Sequence, residues 1–237
     1  MRNKIYSGFD EAIADIPDGA SVMMMSFTGP GGIAQNLIQA LKNKGVKNLD
    51  IYSYSNFGYI GQVPGFKPYT MPDILVENGQ VRKAHTSWGR GAAGQYCALE
   101  QAVLSGKVAG EIIPQGVFAQ RIRAGGSGVG AFYSPVGIGT PYEQGKEKRV
   151  IDGKEYLLEY PARASFGFIR AYKADGLGNL VYRGTARGIN PLVAKACDVT
   201  IAEVDEIVEI GEFDPERVIT PGIYIDRIVK IPDGGFK

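Results

Sequence analysis

Glu77-Asn78-Gly79 places a carboxylate beside a dipeptide well suited to a sharp turn. An exposed carboxylate on such a turn can attack an activated carbonyl and carry a covalent intermediate. Asn-Gly is equally an ordinary turn signal ahead of the strand-like stretch 80–84. The one histidine, His85, lies in a stretch that reads as a strand end, where a packed or surface imidazole is the ordinary outcome. Cys97 and Cys197 stand a hundred residues apart, which is neither a disulfide framework nor a metal cluster. Zinc normally takes three or four Cys/His-type ligands, and no paired spacing of them exists here. Metal chemistry and a Ser-His-Asp triad are therefore not expected.

The glycines, 33 in all, are clustered. Thr28-Gly29-Pro30-Gly31-Gly32 joins a strand-like run directly to a helical pattern. Glycines there let the backbone turn tightly and let a ligand approach the helix N-terminus, where N–H groups can hold a carboxylate or an oxyanion. A plain tight turn is the alternative. Gly126-Ser127-Gly128-Val129-Gly130-Ala131 fits the letters of a dinucleotide fingerprint, but a helical pattern precedes it and Phe132-Tyr133-Ser134-Pro135 follows. That fingerprint has to follow a strand and open a helix. Between Gly139 and Gly145 lie five residues, one too many for a phosphate loop.

The elements that must position these residues alternate in type. Apolar positions at helical spacing over 9–16 end at Pro17-Asp18-Gly19, and 21–27 is an apolar run of strand length. Ile33, Leu37, Ile38 and Leu41 mark a helix that stops at Lys42-Asn43-Lys44-Gly45, and 48–54 is a further strand. Helix, strand, helix, strand with short connections predicts a βαβ unit. Residues 55–70 read as a long loop, 92–104 as helix, 110–113 as strand and 115–124 as a short helix. The glycine-rich 125–140 has no regular pattern. Segments 166–171 and 180–183 flank a hairpin-like turn, 190–196 is helical, and 198–204 is a strand. The expectation is one α/β domain over 1–237, built on a mostly parallel sheet with flanking helices.

Composition limits the function classes. The 237 residues carry 26 Lys+Arg against 25 Asp+Glu, with 44% apolar and 22% charged residues. Charge balance gives no electrostatic footprint for nucleic acid or an anionic membrane. Apolar runs such as 22–25 are far below the roughly 18 residues of a membrane span. The basic start Met1-Arg2-Asn3-Lys4 has no apolar stretch behind it, so no signal peptide is expected and the cytoplasm is the default location.

Several longer motifs carry a resemblance. Ile112-Ile113-Pro114-Gln115-Gly116, then Ala119-Gln120-Arg121-Ile122-Arg123-Ala124-Gly125-Gly126, is followed by Gly130-Ala131-Phe132-Tyr133-Ser134-Pro135. Ala171-Tyr172-Lys173-Ala174-Asp175 leads to Gly178-Asn179-Leu180-Val181-Tyr182-Arg183 and Thr185-Ala186-Arg187. Thr200-Ile201-Ala202-Glu203-Val204-Asp205-Glu206-Ile207-Val208 and Thr220-Pro221-Gly222-Ile223-Tyr224 complete the series. In order and over most of its length, the chain resembles the alpha subunit of a family I coenzyme A transferase of the 3-oxoacid type. The resemblance implies the fold of that family and a ping-pong transfer of CoA from an acyl-CoA to a carboxylic acid. A glutamate attacks the thioester, an acyl-glutamyl anhydride forms, and the CoA thiolate returns to give a glutamyl-CoA thioester. In the family that glutamate belongs to a Ser-Glu-Asn-Gly motif of the beta subunit. Glu77-Asn78-Gly79 lacks the serine, so no catalytic residue is expected in this chain.

The resemblance also implies a substrate-binding set: Gln115 and Gly116, the glycine turn Gly29, Gly31 and Gly32, and Ser55 and Asn56. Gln115 would hydrogen-bond acyl or carboxylate oxygens, or else only satisfy local backbone at a helix start. The family's Gly-Gly-Phe is Met25-Ser26-Phe27 here, and its Ser-Asn-Asn is Ser53-Tyr54-Ser55, with Asn56 one step later. Tyr52, Tyr54, Phe57 and Tyr59 also depart from the pattern; they either face the pocket, favouring a bulkier acid, or pack as core. A beta subunit in an α2β2 assembly is the implied partner. CoA enters as a substrate, with no bound metal or redox cofactor. Two rival readings stay open: a hydrolase or carbon–carbon-cleaving enzyme on CoA thioesters, and a non-catalytic ligand-binding subunit.

Overall fold

A computed structural model describes residues 3–24, 30–54, 71–90 and 97–233. The chain begins with β1 (Ile5–Tyr6), α1 (Phe9–Ala12), β2 (Ser21–Met23), α2 (Gln35–Lys44) and β3 (Leu49–Tyr52). It continues with α3 (Asp73–Glu77), β4 (Val81–Thr86), α4 (Ala98–Leu104), β5 (Ala109–Ile112) and α5 (Gln115–Ser127). Then follow β6 (Phe132–Ser134), β7 (Lys148–Ile151), β8 (Lys154–Glu159), β9 (Ala164–Asp175) and β10 (Leu180–Val181). Last come α6 (Asn190–Ala196), β11 (Cys197–Val208) and β12 (Arg227–Lys230).

The main sheet has the order β1-β12-β11-β9-β2-β3-β4-β5, and every neighbouring pair along it is parallel. Only β10 runs antiparallel, hung on the end of β9. This is the expected α/β architecture. A parallel sheet has to be covered on both faces, so its strands alternate between two cores rather than between core and water. Val22, Phe168, Ile201 and Val229 point into one core, with Leu37 and Leu41 of α2 and Leu75 of α3. Their neighbours Met23, Ile169, Ala202 and Ile228 point into the other, with Phe118 of α5 and Val193 of α6. The wound order reverses between β2 and β9, and the register Met23↔Gly167 leaves the last eight residues of β9 running past the end of β2.

Three features differ from the sequence reading. Helix α5 continues through Gly125 and Gly126 to Ser127. The backbone of Ala162 lies against Gly125, and a Cβ on Gly126 would come within 2.7 Å of Lys195 Cβ. Glycine costs a helix about 1 kcal/mol, and here it lets α5 close on α6. Strands β6, β8 and β7 form a separate antiparallel sheet. Strand β7 is exposed at all four positions and so carries no alternation to read. The short edge pair β1 and β12 also had no pattern of its own. Elsewhere the sequence signals hold: α2 stops at Gly45, whose φ of +76° gives the left-handed cap, with Lys42 and Lys44 in its last turn. Among the described residues, no helix is long and apolar enough to cross a membrane.

Candidate active site

Because β2, β3, β4, β5, β9 and β11 are parallel, the residues after them emerge on one edge of the sheet. Ligands of open α/β sheets bind outside the carboxyl ends of the strands, where the strand order reverses. That place lies between β2 and β9. A cleft of about 500 Å³ opens there, lined by Gly31, Arg170, Tyr172, Tyr182, Arg183 and Asp205 among others. Gly31 belongs to a single 3₁₀ turn, Pro30–Gly32, and is backed by Ala186 of a second such turn, Gly184–Arg187. Asn190, fully buried at the start of α6, donates to the Gly32 carbonyl at 3.0 Å and ties the turn to the other face of the sheet.

Gln115 lies on the same edge, after β5, and opens α5. Pro114 sets the entry angle, and among the described residues no side chain caps the helix. The first N–H groups of a helix have no partner within it, and the aligned peptide dipoles favour an anion there. Both Gln115 and Gly116 are exposed, and a Cβ on Gly116 would meet nothing within 4 Å. An amide side chain and open backbone donors thus share one helix start. Gly31 and Gln115 follow strands three places apart, which at one strand spacing each separates them by about 14 Å along the edge.

Charged groups fix α5 in place. Arg121, two turns along the helix, donates to Glu111 of β5 at 2.9 Å and to Glu159 of β8 at 2.8 Å. Glu159 is fully buried and also receives Lys146 at 2.7 Å and the Tyr142 hydroxyl at 3.1 Å. Glu111 meets His85 Nδ1 at 2.7 Å, and the His85 ring stacks on Tyr52 with centroids 4.2 Å apart. The hydrogen bond from His85, with that from Arg121, holds the Glu111 carboxyl down at about 2 despite its burial. His85 is therefore a packed imidazole.

The start of α2, which the sequence offers as an anion site behind the glycine turn, is already filled. Glu203, buried in β11, accepts the backbone N–H of Asn36 and of Leu37 at 3.0 Å each and the Asn36 amide at 3.2 Å. Arg170 of β9 bridges it at 3.1 Å and reaches Asp205 at 2.8 Å. Burial lifts the Glu203 carboxyl to about 7, against the pull of Arg170 and these N–H donors. An external carboxylate thus finds the α2 terminus occupied by the protein's own, and Gly31 lines the cleft wall while Gly32 is buried behind it. Glu203, Arg170, Arg121 and Glu111 have no role in the sequence reading. For Glu203 and Arg170 the signal is a charge inside an apolar strand run, as in Ile201-Ala202-Glu203-Val204 and Phe168-Ile169-Arg170-Ala171, which demands a buried partner.

Of the four aromatic departures, two are core. Tyr54 is 2% exposed and sits edge-on to Phe118 of α5, while Tyr52 lies between His85 and Phe118. Burial lifts the Tyr54 phenol to about 12. Phe57 and Tyr59, with the binding candidates Gly29, Ser55 and Asn56, lie outside the described residues. Glu77 is exposed at the end of α3, ahead of β4, and so sits at the amino edge of the sheet, opposite Gln115.

A family model described as Coenzyme A transferase matches residues 6–231. The chain belongs to that family. It is 41% identical to the A subunit of the 3-oxoadipate CoA-transferase of Pseudomonas putida, over 98% of this chain and 95% of the relative. It is 40% identical to the A subunit of a succinyl-CoA:3-ketoacid coenzyme A transferase of Helicobacter pylori, over 96% of this chain and 92% of the relative. Among solved structures, the acyl-CoA transferase of Escherichia coli O157:H7, in a thioester complex with CoA, superposes with a TM-score of 0.81 at 25% identity. That match covers 98% of this chain but 48% of the other, so the chain spans about half the length of that transferase. In fold and in extent, this coenzyme A transferase chain groups with A-type subunits.

Proposed function

We propose that the chain is the A-type component of a heteromeric enzyme that moves CoA from an acyl-CoA, such as succinyl-CoA or acetyl-CoA, to a carboxylic acid of the 3-oxo type. The relatives named above carry that activity in their names, and they match this chain along nearly its full length. The observation that carries the reading is the uncapped, exposed start of α5, where the Gln115 amide and the Gly116 backbone face outward on the carboxyl edge. The nucleophile is a glutamate of a beta subunit, and the assembly is α2β2. Glu77, at the opposite edge, takes no part.

The chemistry divides one difficult exchange into easier steps. The partner's glutamate attacks the thioester carbonyl, whose oxygen becomes an oxyanion, and the CoA thiolate leaves to give a mixed anhydride. The thiolate then attacks the glutamyl carbonyl, releasing the first acid and forming glutamyl-CoA; the acceptor acid reverses both steps. Each step passes through an anionic tetrahedral centre and a free carboxylate. Donors fixed before the reaction stabilise such charge without reorganising. Gln115 and Gly116 supply them at α5, and Gly31 of the glycine turn lines the neighbouring cleft. CoA is a substrate and no further cofactor takes part. The enzyme acts in the cytoplasm, where its two cysteines stay reduced.

The Gln115→Ala variant, reconstituted with its partner, tests the reading. Loss of one oriented side-chain donor lowers kcat by about 10- to 100-fold, with isotope exchange between acyl-CoA and its acid falling in parallel. Unchanged kcat and exchange would remove Gln115 from the site.

A further inference from the structure

We propose that Arg183 binds a second, distal carboxylate on the acid or acyl group, and so sets a preference for dicarboxylates over monocarboxylates. This rests on the transferase reading above. The cleft between β2 and β9 holds the cations Arg170 and Arg183, and Lys173 lies just beyond its rim. Arg170 is spent, bridging Glu203 and Asp205. Lys173 is spent, paired with Glu206 at 2.8 Å. Arg183 has no carboxylate partner among the described residues; its guanidinium stands 5.5 Å from the centroid of the Tyr172 ring. Among the described residues, the acidic ones lining this cleft are Asp205 and Glu206, both already paired, so neither competes for it. Glu212 and Asp214 lie in the adjoining hollow, across the ridge formed by Tyr172, Tyr182 and Arg183, and neither bonds Arg183.

The setting suits a fixed ligand group. Tyr172 belongs to β9, and Tyr182 is anchored by a 2.8 Å hydrogen bond between its hydroxyl and Thr220. Arg183 leads directly into the 184–187 turn, whose Ala186 backs Gly31. A guanidinium held over an aromatic face keeps its planar fork of N–H donors free at the edge, which matches a carboxylate bidentately. The cleft, about 500 Å³, is of small-molecule size and takes a four-carbon dicarboxylate with room to spare. A monocarboxylic acid that reaches the reacting centre leaves Arg183 without a partner.

The test uses the reconstituted complex with succinate and butyrate, which match in chain length and differ in the second carboxylate. For wild type, Arg183→Gln and Arg183→Lys, acceptor preference is read as the ratio of kcat/KM values, and binding of each acid is measured by calorimetry. A charge-assisted bond of this kind corresponds to a fall of at least about tenfold in the succinate-over-butyrate ratio for Arg183→Gln, with Arg183→Lys in between. Equal losses on both acids, or an unaltered ratio, would overturn the proposal. Should the wild-type complex transfer CoA to no acid, a 3-oxo acid included, the transferase reading fails separately. Calorimetry then still decides the role of Arg183, by whether the variant weakens succinate more than butyrate.

Discussion

At the scale of single residues, the site separates groups that face outward from groups that hold them. Gln115 faces outward on an uncapped helix start. Glu111 holds, joined to His85 and Arg121, and its depressed carboxyl ties stability to pH. A carboxyl whose folded value lies below its ordinary 4.5 contributes stability that is complete above about 4.5 and is lost as pH falls toward 2. The melting temperature of the wild type is therefore expected to drop steeply over that window. Glu111→Gln should start less stable, by about 2 kcal/mol in unfolding free energy for a partly exposed pair, and its melting temperature should show a shallower drop. A parallel pair of curves from scanning calorimetry would rule out this linkage.

At the scale of elements, two helices start near the carboxyl edge in opposite states. Helix α5 is open, whereas α2 is closed by Glu203 from strand β11. Replacing that carboxylate by an amide leaves Arg170 with one buried partner fewer, which costs roughly 3 kcal/mol. Glu203→Gln is expected to lower the melting temperature by about 10 °C, with far-UV circular dichroism of the folded state unchanged. A shift within about 1–2 °C of zero would show that the carboxylate does not hold α2. Much of this frame is legible in the sequence. The spacing of Ile33, Leu37 and Leu41 gives α2, the Gly45 stop gives its end, and the runs at 21–27 and 48–54 give β2 and β3. What stays hidden depends on contacts distant in sequence. Gly125 and Gly126 read as helix-breaking until Ala162 and Lys195 are seen against them. The pairing of Arg121 with Glu159 spans 38 residues and a second sheet. For Tyr54 the sequence leaves pocket and core equally open, and it is core because α5 lies over it.

At the scale of the whole molecule, the proposed function makes the chain one wall of a shared site. Its carboxyl edge offers donors and a cleft, and the carboxylate of its Glu77-Asn78-Gly79 sequence is at the far edge. The 48% match to a longer acyl-CoA transferase chain fits a second unit of similar size. The central claim is that the nucleophile lies outside this chain. It is tested by measuring CoA transfer from succinyl-CoA to a 3-oxo acid with this chain by itself, with its beta partner by itself and with the two mixed, followed by borohydride trapping. Activity confined to the mixture, with a reduced glutamyl thioester on the beta partner, is the predicted result. Transfer by this chain on its own would contradict it, and would make Glu77 the residue to replace next.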